Sequence, residues 1–572
     1  MKYLKVVSCI LVLGVLVGAC NDDFLTRTPM DRVSDKDYFK APSDLKTYVN
    51  QFYNNGSFPI YTNFGNDYDS DNQISDNLNT RLEGTRVLSS GGGISYSKVR
   101  KVNYFFDHYK KVEKNASFDE YKQYLGEAHF FRALTYFSLL RSYGDVLWLE
   151  ATVTPDSPEL YQSRDSRNIV ADNIIADLDS AATYLMTDKT DGASRVNKWM
   201  ALLVQSRVAL YEGTWEKYHA DDPFGVNNPQ PDKYFKKVVE ATTEIMESGL
   251  YDIYSTNSPD SDYFHLFGME RQNYASNVEV MFWKEFDNSL GTMSRDINYR
   301  METPANHGVN KQLADAYLCT NGEPITNNTL FKGYTTLSDE VKNRDPRLAQ
   351  TIAVPDAEWK IYDDETHYYK EFFSGINTSF ESTSPTGYIL KKGYDPRMEN
   401  HTPQYEESAS IIYRYAEVLL NFAEAKAELG EITQSDINKS IKKLRDRVKM
   451  PNLIVGDITQ DPKWNFPDLS PIINEIRRER RVELAAEGFR WDDIARWAAA
   501  DELIVGKRPK GTKASQFSTD NPYPVDENGF FDPYQDRLSD GYGFKLDRDY
   551  LNPISKEEIE LSDGNLEQNP GW

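Results

Sequence analysis

Apolar residues recur every three or four positions over much of the chain, the spacing that places them on one face of an α-helix. The pattern is clearest from Ala409 to Leu429, where steps of four and three alternate and Gly430 follows as a cap. Around Phe130 two apolar stripes share one segment, which predicts a helix buried on two sides. The same periodicity predicts helices at Lys36–Tyr53, Ile169–Leu185, Lys198–Tyr211, Tyr234–Met246, Ile437–Val448 and Ile472–Trp497. We therefore expect a mainly α-helical protein.

Several of these predicted helices follow one another through short links, as antiparallel helical pairs do in stacked repeat proteins. The chain shows no strict 34-residue period of the tetratricopeptide type. The periodicity thus favours a scaffold of helical pairs without identifying the kind of repeat.

Three segments lack helical periodicity and are rich in Gly, Asn, Asp, Ser, Pro or Tyr: residues 54–95, 250–405 and 505–550. The middle segment includes short β-like pieces such as Glu279–Trp283. Long loops in a compact domain are usually functional. Since nothing resembles a linker between two domains, we expect these segments to be loop-rich, partly β elaborations of one domain over residues 36–572.

The amino terminus has the pattern of a lipoprotein signal. Two lysines and an apolar stretch from Val6 to Val17 lead to Val17-Gly18-Ala19-Cys20, and the stretch is too short for a resident membrane helix. We interpret residues 1–19 as a signal peptide, Cys20 as the lipidated residue and residues 20–35 as a tether. An ordinary signal peptide with an incidental cysteine is the alternative.

Charge and composition narrow the classes of ligand. The formal net charge is −24 and no basic face with interleaved aromatics is visible, which excludes nucleic acid as a partner. Aromatic residues make up 13% of the chain, and tyrosine occurs 37 times. A tyrosine ring is both an apolar plate and a hydrogen-bonding group, so this excess suits a surface that stacks on sugars, although most of the rings are expected to pack.

Signatures of catalysis are absent from the sequence. It contains no His-Glu-x-x-His, Gly-x-Ser-x-Gly or P-loop motif, and its seven histidines show no ligand spacing. Once the signal is removed and Cys20 is lipidated, Cys319 remains alone, so neither a disulfide nor thiol catalysis is expected. Paired carboxylates for glycoside hydrolysis stay open, because 89 acidic residues offer too many candidate pairs to choose among.

The acidic segment Asp67–Asp71 resembles the start of a calcium loop. The glycine and glutamate that an EF-hand needs at its sixth and twelfth positions are Asn72 and Leu78 here, so it is not an EF-hand. Three interpretations stay open: carboxylates that are solvated or form a turn, that contact sugar hydroxyls, or that hold a calcium ion.

A series of blocks, in order and over nearly the whole mature chain, resembles the SusD/RagB family of outer-membrane nutrient-binding lipoproteins. The blocks are Gly126–Leu134 (GEAHFFRAL), Arg141–Val146 (RSYGDV), Asn343–Leu348 (NRDPRL), Arg414–Leu420 (RYAEVLL), Arg478–Leu484 (RERRVEL), Gly488–Asp493 (GFRWDD), Leu551–Ile554 (LNPI) and Gln568–Trp572 (QNPGW). Each block alone could belong to many proteins, but this order behind a lipobox is specific. His129 departs from the family pattern, which more often has arginine there; we interpret it as a local packing difference.

The resemblance implies a SusD-like fold with tetratricopeptide-like helical pairs, a lipid anchor in the outer membrane and exposure at the cell surface. It also implies a SusC-like TonB-dependent transporter as partner and a glycan as ligand, with no catalysis and no cofactor. The charged residues of the blocks look like scaffold, because charges beside apolar helix positions must be paired. We expect ion pairs involving Arg414, Glu417, Glu424, Arg480, Glu483 and Arg490.

Ring faces and polar neighbours that could converge on a glycan are sought in the loops. The candidate ligand-binding residues are Asp67, Tyr68, Arg81, Tyr96, Arg295, Tyr299, Trp359, Tyr362, Tyr368, Tyr369, Tyr394 and Arg397. The function favoured is capture of an oligo- or polysaccharide for delivery to the transporter. Capture of peptides, a surface glycoside hydrolase and a scaffold without ligand are the alternatives.

Overall fold

The structure is a computed structural model and describes residues 38–54, 58, 66–75, 77–88, 93–188, 195–268, 274–292, 298, 307–362, 365–369, 384–401, 406–407, 409–517 and 523–572. Its α-helices are α1 (Pro42–Asn54), α2 (Thr80–Glu83), α3 (Ser97–His108), α4 (Phe118–Tyr143), α5 (Arg167–Tyr184), α6 (Lys198–Tyr218), α7 (Pro231–Glu247), α8 (Asp262–Phe267), α9 (Lys311–Ala316), α10 (Leu337–Val341), α11 (Pro346–Thr351), α12 (Tyr415–Glu428), α13 (Gln434–Lys439), α14 (Ile441–Arg447), α15 (Pro471–Glu483), α16 (Arg490–Arg496), α17 (Ala500–Leu503) and α18 (Lys556–Leu561). Its strands are β1 (Gln73–Ile74), β2 (Val280–Lys284), β3 (Gly308–Val309), β4 (Glu358–Tyr362), β5 (Glu365–Tyr368) and β6 (Ser410–Arg414).

The helical scaffold is a stack in which sequence neighbours pack side by side. Helix α4 packs on α5, α5 on α6 and α6 on α7, while α12 packs against α7 and α15. Local sequence sets the helix ends: the Glu120 carboxylate accepts a hydrogen bond from Ser117 N at 2.8 Å before α4, and Asn197 Oδ1 caps the first turn of α6. One apolar core runs through the stack and includes residues from Phe39 to Ile554. None of the helices in the described part of the chain combines the length and apolar character needed to cross a bilayer.

Most of the predicted helices are confirmed, although α1 begins at Pro42 rather than at Lys36, and α6 extends beyond the prediction to Tyr218. The helix predicted from residue 409 is wrong in its first part, because Ser410–Arg414 forms strand β6 and the helix begins at Tyr415. Strand β6 pairs antiparallel with β2, the strand predicted near residue 279, and the β-branched and aromatic run Ile411-Ile412-Tyr413 suits that pairing.

Two further predicted helices are each divided. The helix predicted at 437–448 is broken at Ser440, between α13 and α14. The helix predicted at 472–497 is broken between α15 and α16, where Ala486 and Gly488 have φ angles of 62° and 80°. A left-handed backbone ends a right-handed helix, so the two halves point in different directions.

Charged side chains of the motif blocks lie in this core and are paired, which confirms the predicted structural ion pairs. The pairs are Arg414–Glu483, Arg207–Glu417, Arg496–Glu424, Arg480–Asp493 and Arg490–Asp71, with N–O distances of 2.6–2.9 Å. His129 also has a packing role, because its Nδ1 lies 2.7 Å from Asp177, which is bound by Arg132 as well. Burying these charges is tolerable only because each has a partner.

A smaller apolar cluster lies under the β4–β5 hairpin. It includes Tyr317, Leu348, Tyr388 and Tyr394, and it meets the main scaffold at Val482 on α15. In the described part of residues 250–405, loops alternate with short strands and with the short helices α8 to α11, and the apolar cluster there also includes Val482, Ala485 and Ala486. The described part of residues 505–550 has few regular elements.

Candidate functional site

The acidic segment predicted from the calcium-loop pattern forms a turn, but its outer carboxylates are buried rather than solvated. Asp67 accepts hydrogen bonds from the backbone N–H groups of Ala486 at 2.9 Å and Gly488 at 3.1 Å, and from Asn72 Nδ2. Burial raises the pKa of Asp67, while these donors oppose that rise. The carboxylate therefore holds the break between α15 and α16 in place. The described part of the chain contains no cluster of three His, Cys, Asp or Glu side chains that could hold a metal ion.

The other candidates near the amino-terminal loops also have protein partners. Tyr68 stacks on His307 with the ring centroids 4.7 Å apart. Arg81 lies over the Trp491 ring and donates to Asn552 Oδ1 at 2.8 Å. Tyr96 Oη accepts a hydrogen bond from Leu147 N at 2.9 Å.

The candidates of the hairpin region fall into two groups. Trp359 stacks on Tyr394 with the centroids 4.6 Å apart, and Tyr369 packs beside Trp359. All three rings are buried, so in this conformation they cover one another and offer no open face. Their role in ligand contact stays a prediction.

Tyr362 and Tyr368, in contrast, are 43% and 52% exposed on the hairpin. Tyr362 stacks on His367 across the two strands, with the centroids 4.3 Å apart. Arg397 is paired with Asp395 at 2.6 Å beside the hairpin. The hairpin therefore presents two ring faces to solvent. Arg295, Tyr299 and Cys20 lie outside the described residues.

The structure also brings together a set of residues that were not among the predicted ligand-binding candidates. They line a cleft of about 480 Å³ between the carboxyl-terminal half of α4, the segment before α3 and the start of α16. Its aromatic walls are Phe137, Tyr143, Tyr413 and Phe489, and its polar lining includes Ser95, Ser97, Lys98, Ser138, Arg141, Ser142, Arg207 and Asp492. The volume lies within the range of about 300–1,000 Å³ typical of ligand pockets.

Helix α4 supplies one wall of this cleft because of its register. Leu134, Ser138 and Ser142 follow one another at four positions and Arg141 follows Ser138 at three, so their side chains share one face of the helix. At the end of that face the hydroxyl of Tyr143 donates to Gly93 O at 3.0 Å, which joins the helix to the segment before α3.

Ion pairs fix the charged residues of the cleft. Arg141 pairs with Asp492 at the start of α16. Arg207 binds both carboxylate oxygens of Glu417 at 2.6 Å and lies over the rings of Tyr413 and Phe489. Asp492 is the only carboxylate among the described lining residues. The cleft thus combines rings, hydroxyls and fixed cations, which can bind a polyhydroxylated ligand.

The sequence did carry a signal for these residues. Leu134, Arg141, Phe489 and Asp492 all belong to motif blocks, which were interpreted as scaffold because their charges needed partners. The pairing is real, but the same helix faces also border the open cleft.

Comparisons with known proteins identify relatives along the whole chain. A family model described as "SusD family" matches residues 267–572, more than half of the chain, and one described as "Starch-binding associating with outer membrane" matches residues 30–210. SusD-like protein P2 of Formosa agariphila is 23% identical over 596 residues and covers 100% of both chains. SusD-like protein P38 of the same bacterium is 23% identical over 88% of this chain and 94% of its own.

Solved structures share the fold. A SusD-like protein from Bacteroides fragilis has a TM-score of 0.71 at 22% identity, covering 96% of this chain and 100% of its own. A SusD-like carbohydrate-binding protein from the same species has a TM-score of 0.68 at 21% identity, over 91% and 98%. A laminarin-binding SusD-like protein has a TM-score of 0.53 at 17% identity, over 93% and 100%. The fold is the mainly α SusD-like fold, and the chain belongs to the SusD family.

Proposed function

We propose that this protein captures oligo- or polysaccharide at the cell surface and delivers it to a SusC-like TonB-dependent transporter. The observation that carries the proposal is the cleft beside α4, where Phe137, Tyr143, Tyr413 and Phe489 stand among serine hydroxyls and fixed arginines. Membership of the SusD family and the carbohydrate-binding and laminarin-binding relatives support a glycan as ligand.

Recognition would use two kinds of contact. The half-buried ring of Tyr143 binds the apolar face of a sugar unit, since Phe137, Tyr413 and Phe489 are buried in the wall. Side-chain hydroxyls and cations bind the sugar hydroxyls. Because Arg141 and Arg207 are already held by Asp492 and Glu417, little side-chain entropy is lost when ligand binds. Such preorganised contacts favour binding, and no turnover is proposed for the cleft.

Attachment to the outer membrane through lipidated Cys20 belongs to the same proposal. The lipobox before Cys20 and the family model described as associating with the outer membrane support it. Delivery would follow a change between an open and a closed state of the complex between the binding protein and the transporter. A bound glycan shifts the equilibrium between these states only if it binds one of them more tightly than the other.

Affinity electrophoresis tests the glycan part. The chain lacking its first twenty residues is run through gels that contain plant, microbial or host polysaccharides, and release of reducing sugar is assayed in parallel. We expect retardation by at least one glycan without sugar release. Tyr143→Ala should weaken retardation about two- to tenfold through loss of a stacking face.

Tyr161→Ala is the matched control, because Tyr161 is exposed and lies outside the cleft. Equal loss of retardation in both variants would indicate that the glycan site lies outside the cleft. Release of sugar by the purified protein would overturn the binding-only function, and absence of any retardation would favour peptide capture.

A further inference from the structure

A second cleft, distinct from the one beside α4, has an unusual charge for this protein. Its volume is about 220 Å³, and it lies between α9, α15 and the segment at residues 461–466. Six lysine or arginine side chains and four acidic ones line it, whereas the whole chain carries a net charge of −24. An excess of positive charge concentrated in one concave site of an acidic protein is suited to a negative ligand.

Two buried arginines in this cleft share one carboxylate. Arg490 binds Asp71 with Nε at 2.6 Å and Nη2 at 2.9 Å, and Arg481 Nη2 lies 2.9 Å from the same carboxylate. Burial lowers the pKa of Arg481 to about 10, partly opposed by Asp71. The Nη1 atoms of both arginines make no hydrogen bond with the described residues, although both side chains are about 4% exposed and border the cleft. The Asp71 carboxylate therefore contacts both guanidinium groups, and the nearby Asp67 carboxylate also acts on them electrostatically.

Two more buried polar atoms at the cleft lack partners. Within the described part of the chain, Arg477 Nε and Gln312 Oε1 are buried without a hydrogen bond. The Arg477 guanidinium lies over the rings of Phe466 and Trp497, and its contact with Glu428 is long, at 3.4 Å. Buried polar groups without partners are costly, so these two atoms would gain from a hydrogen-bonding group that enters the cleft.

The rim supplies a ring and two exposed cations. Trp464 is half-buried, its Nε1 donates to Glu475 at 3.1 Å, and its ring has no aromatic or cationic neighbour among the described residues. Lys463 and Lys507 are exposed at the same cleft and make no ion pair with the described residues. The ring is thus fixed in position while one face stays available.

We propose that this second cleft binds an acidic sugar unit, whose carboxylate or sulfate ester contacts the arginines while its ring lies against Trp464. The proposal rests on the proposed glycan-binding function and deepens it, because it names an anionic glycan as the ligand class. The volume is below that of pockets for drug-sized molecules, about 300–1,000 Å³, and so suits one sugar unit rather than a chain.

Calorimetric titration of the whole mature chain tests this. The probes are galacturonate, galactose 6-sulfate, neutral galactose, and acetate and sulfate alone. We expect the acidic sugars to bind more tightly than galactose and than the simple anions, with affinity falling as salt is raised.

Lys463→Ala/Lys507→Ala should weaken binding of the acidic sugars about five- to tenfold, since each rim charge contributes modestly. Lys332→Ala/Lys439→Ala is the matched control, because it removes the same charge from exposed positions outside the cleft. Trp464→Ala should weaken the acidic sugars about two- to tenfold while leaving sulfate binding unchanged.

The outcomes separate the two proposals. Binding of neutral glycan without any preference for the acidic sugars would overturn this inference and leave the proposed function standing. Acetate or sulfate binding as tightly as the sugars, or equal losses in the two lysine variants, would also overturn it. Failure of every glycan to bind would refute the proposed function itself.

Discussion

Arg447 and Glu483 form an ion pair that is fully buried, with Arg447 Nη2 lying 2.7 and 2.6 Å from the two carboxylate oxygens of Glu483. The same carboxylate also binds Arg414 at 2.7 Å and Arg347 at 2.9 Å. One glutamate on α15 thus joins side chains from α11, β6 and α14. A buried charge can be removed safely only if its partners go with it.

Glu483→Gln should therefore lower the free energy of unfolding by about 3–5 kcal/mol, because it leaves buried arginines short of negative charge. Urea denaturation measures the change. Asp446→Asn, which breaks the exposed pair with Lys442, is the control and should cost less than about 1 kcal/mol. Equal effects of the two substitutions would contradict the importance assigned to burial.

Acid should destabilise the protein partly through Glu424. Burial alone would raise the pKa of this carboxyl, but Arg496 and Arg480 lower it to about 2. The pKa of Glu424 in the folded protein thus lies below its value of about 4.3 in the unfolded chain. The ionised carboxylate therefore stabilises the fold above about pH 4.3, and this stabilisation is lost as the pH falls towards 2. Glu424→Gln should be less stable than the wild type at pH 7, and the difference should shrink at pH 3. Urea denaturation at both pH values checks this, and a constant difference would contradict it.

Asp67 should contribute to the stability of the fold and not to glycan binding. Asp67→Ala removes the acceptor for the backbone N–H groups of Ala486 and Gly488, so it should cost about 1–3 kcal/mol of unfolding free energy. Glycan affinity of the folded fraction should stay within twofold of the wild type, measured by titration below the unfolding temperature. A large loss of affinity with unchanged stability would instead make Asp67 a ligand contact, as the sequence suggested.

The exposed and buried rings of the hairpin should respond differently to truncation. Tyr362→Ala and Tyr368→Ala should change stability by less than about 0.5 kcal/mol, because both residues are exposed on the hairpin. Trp359→Ala should cost about 3–5 kcal/mol, because its ring fills the cluster under the hairpin. Thermal denaturation compares the three, and loss of gel retardation in a stable tyrosine variant would add the hairpin to the glycan-binding surface.

The helical scaffold could be predicted because its signal is local. Apolar positions three and four apart fall within one segment, and α5, α6 and α7 follow them closely. Strand β6 could not be predicted, since Ile411 fits the helical spacing and only β2, about 130 residues earlier, makes it a strand. The break at Ala486 likewise depends on a distant contact, the hydrogen bond to Asp67.

Less of the candidate site than of the helical scaffold could be predicted from the sequence. The apolar helix neighbours of Arg414 and Glu483 predict that these two charges are paired. They do not predict the ion pair between Asp71 and Arg490, because these residues are 419 positions apart in the sequence. Aromatic loop residues have the chemistry to bind a sugar, but the rings of Trp359 and Tyr394 stack on each other. Whether a ring stacks on another ring or on a sugar is decided by tertiary packing, which a single sequence does not display.

The apolar core described above draws on residues from Phe39 to Ile554, and Arg207 from the first half of the chain binds Glu417 from the second. A consequence is that neither half should fold by itself, since each would expose the faces that the other covers. Separately expressed fragments divided between α7 and β2 should be insoluble or unstructured alone. Mixed while unfolded and then refolded together, they should reconstitute the native assembly by complementation.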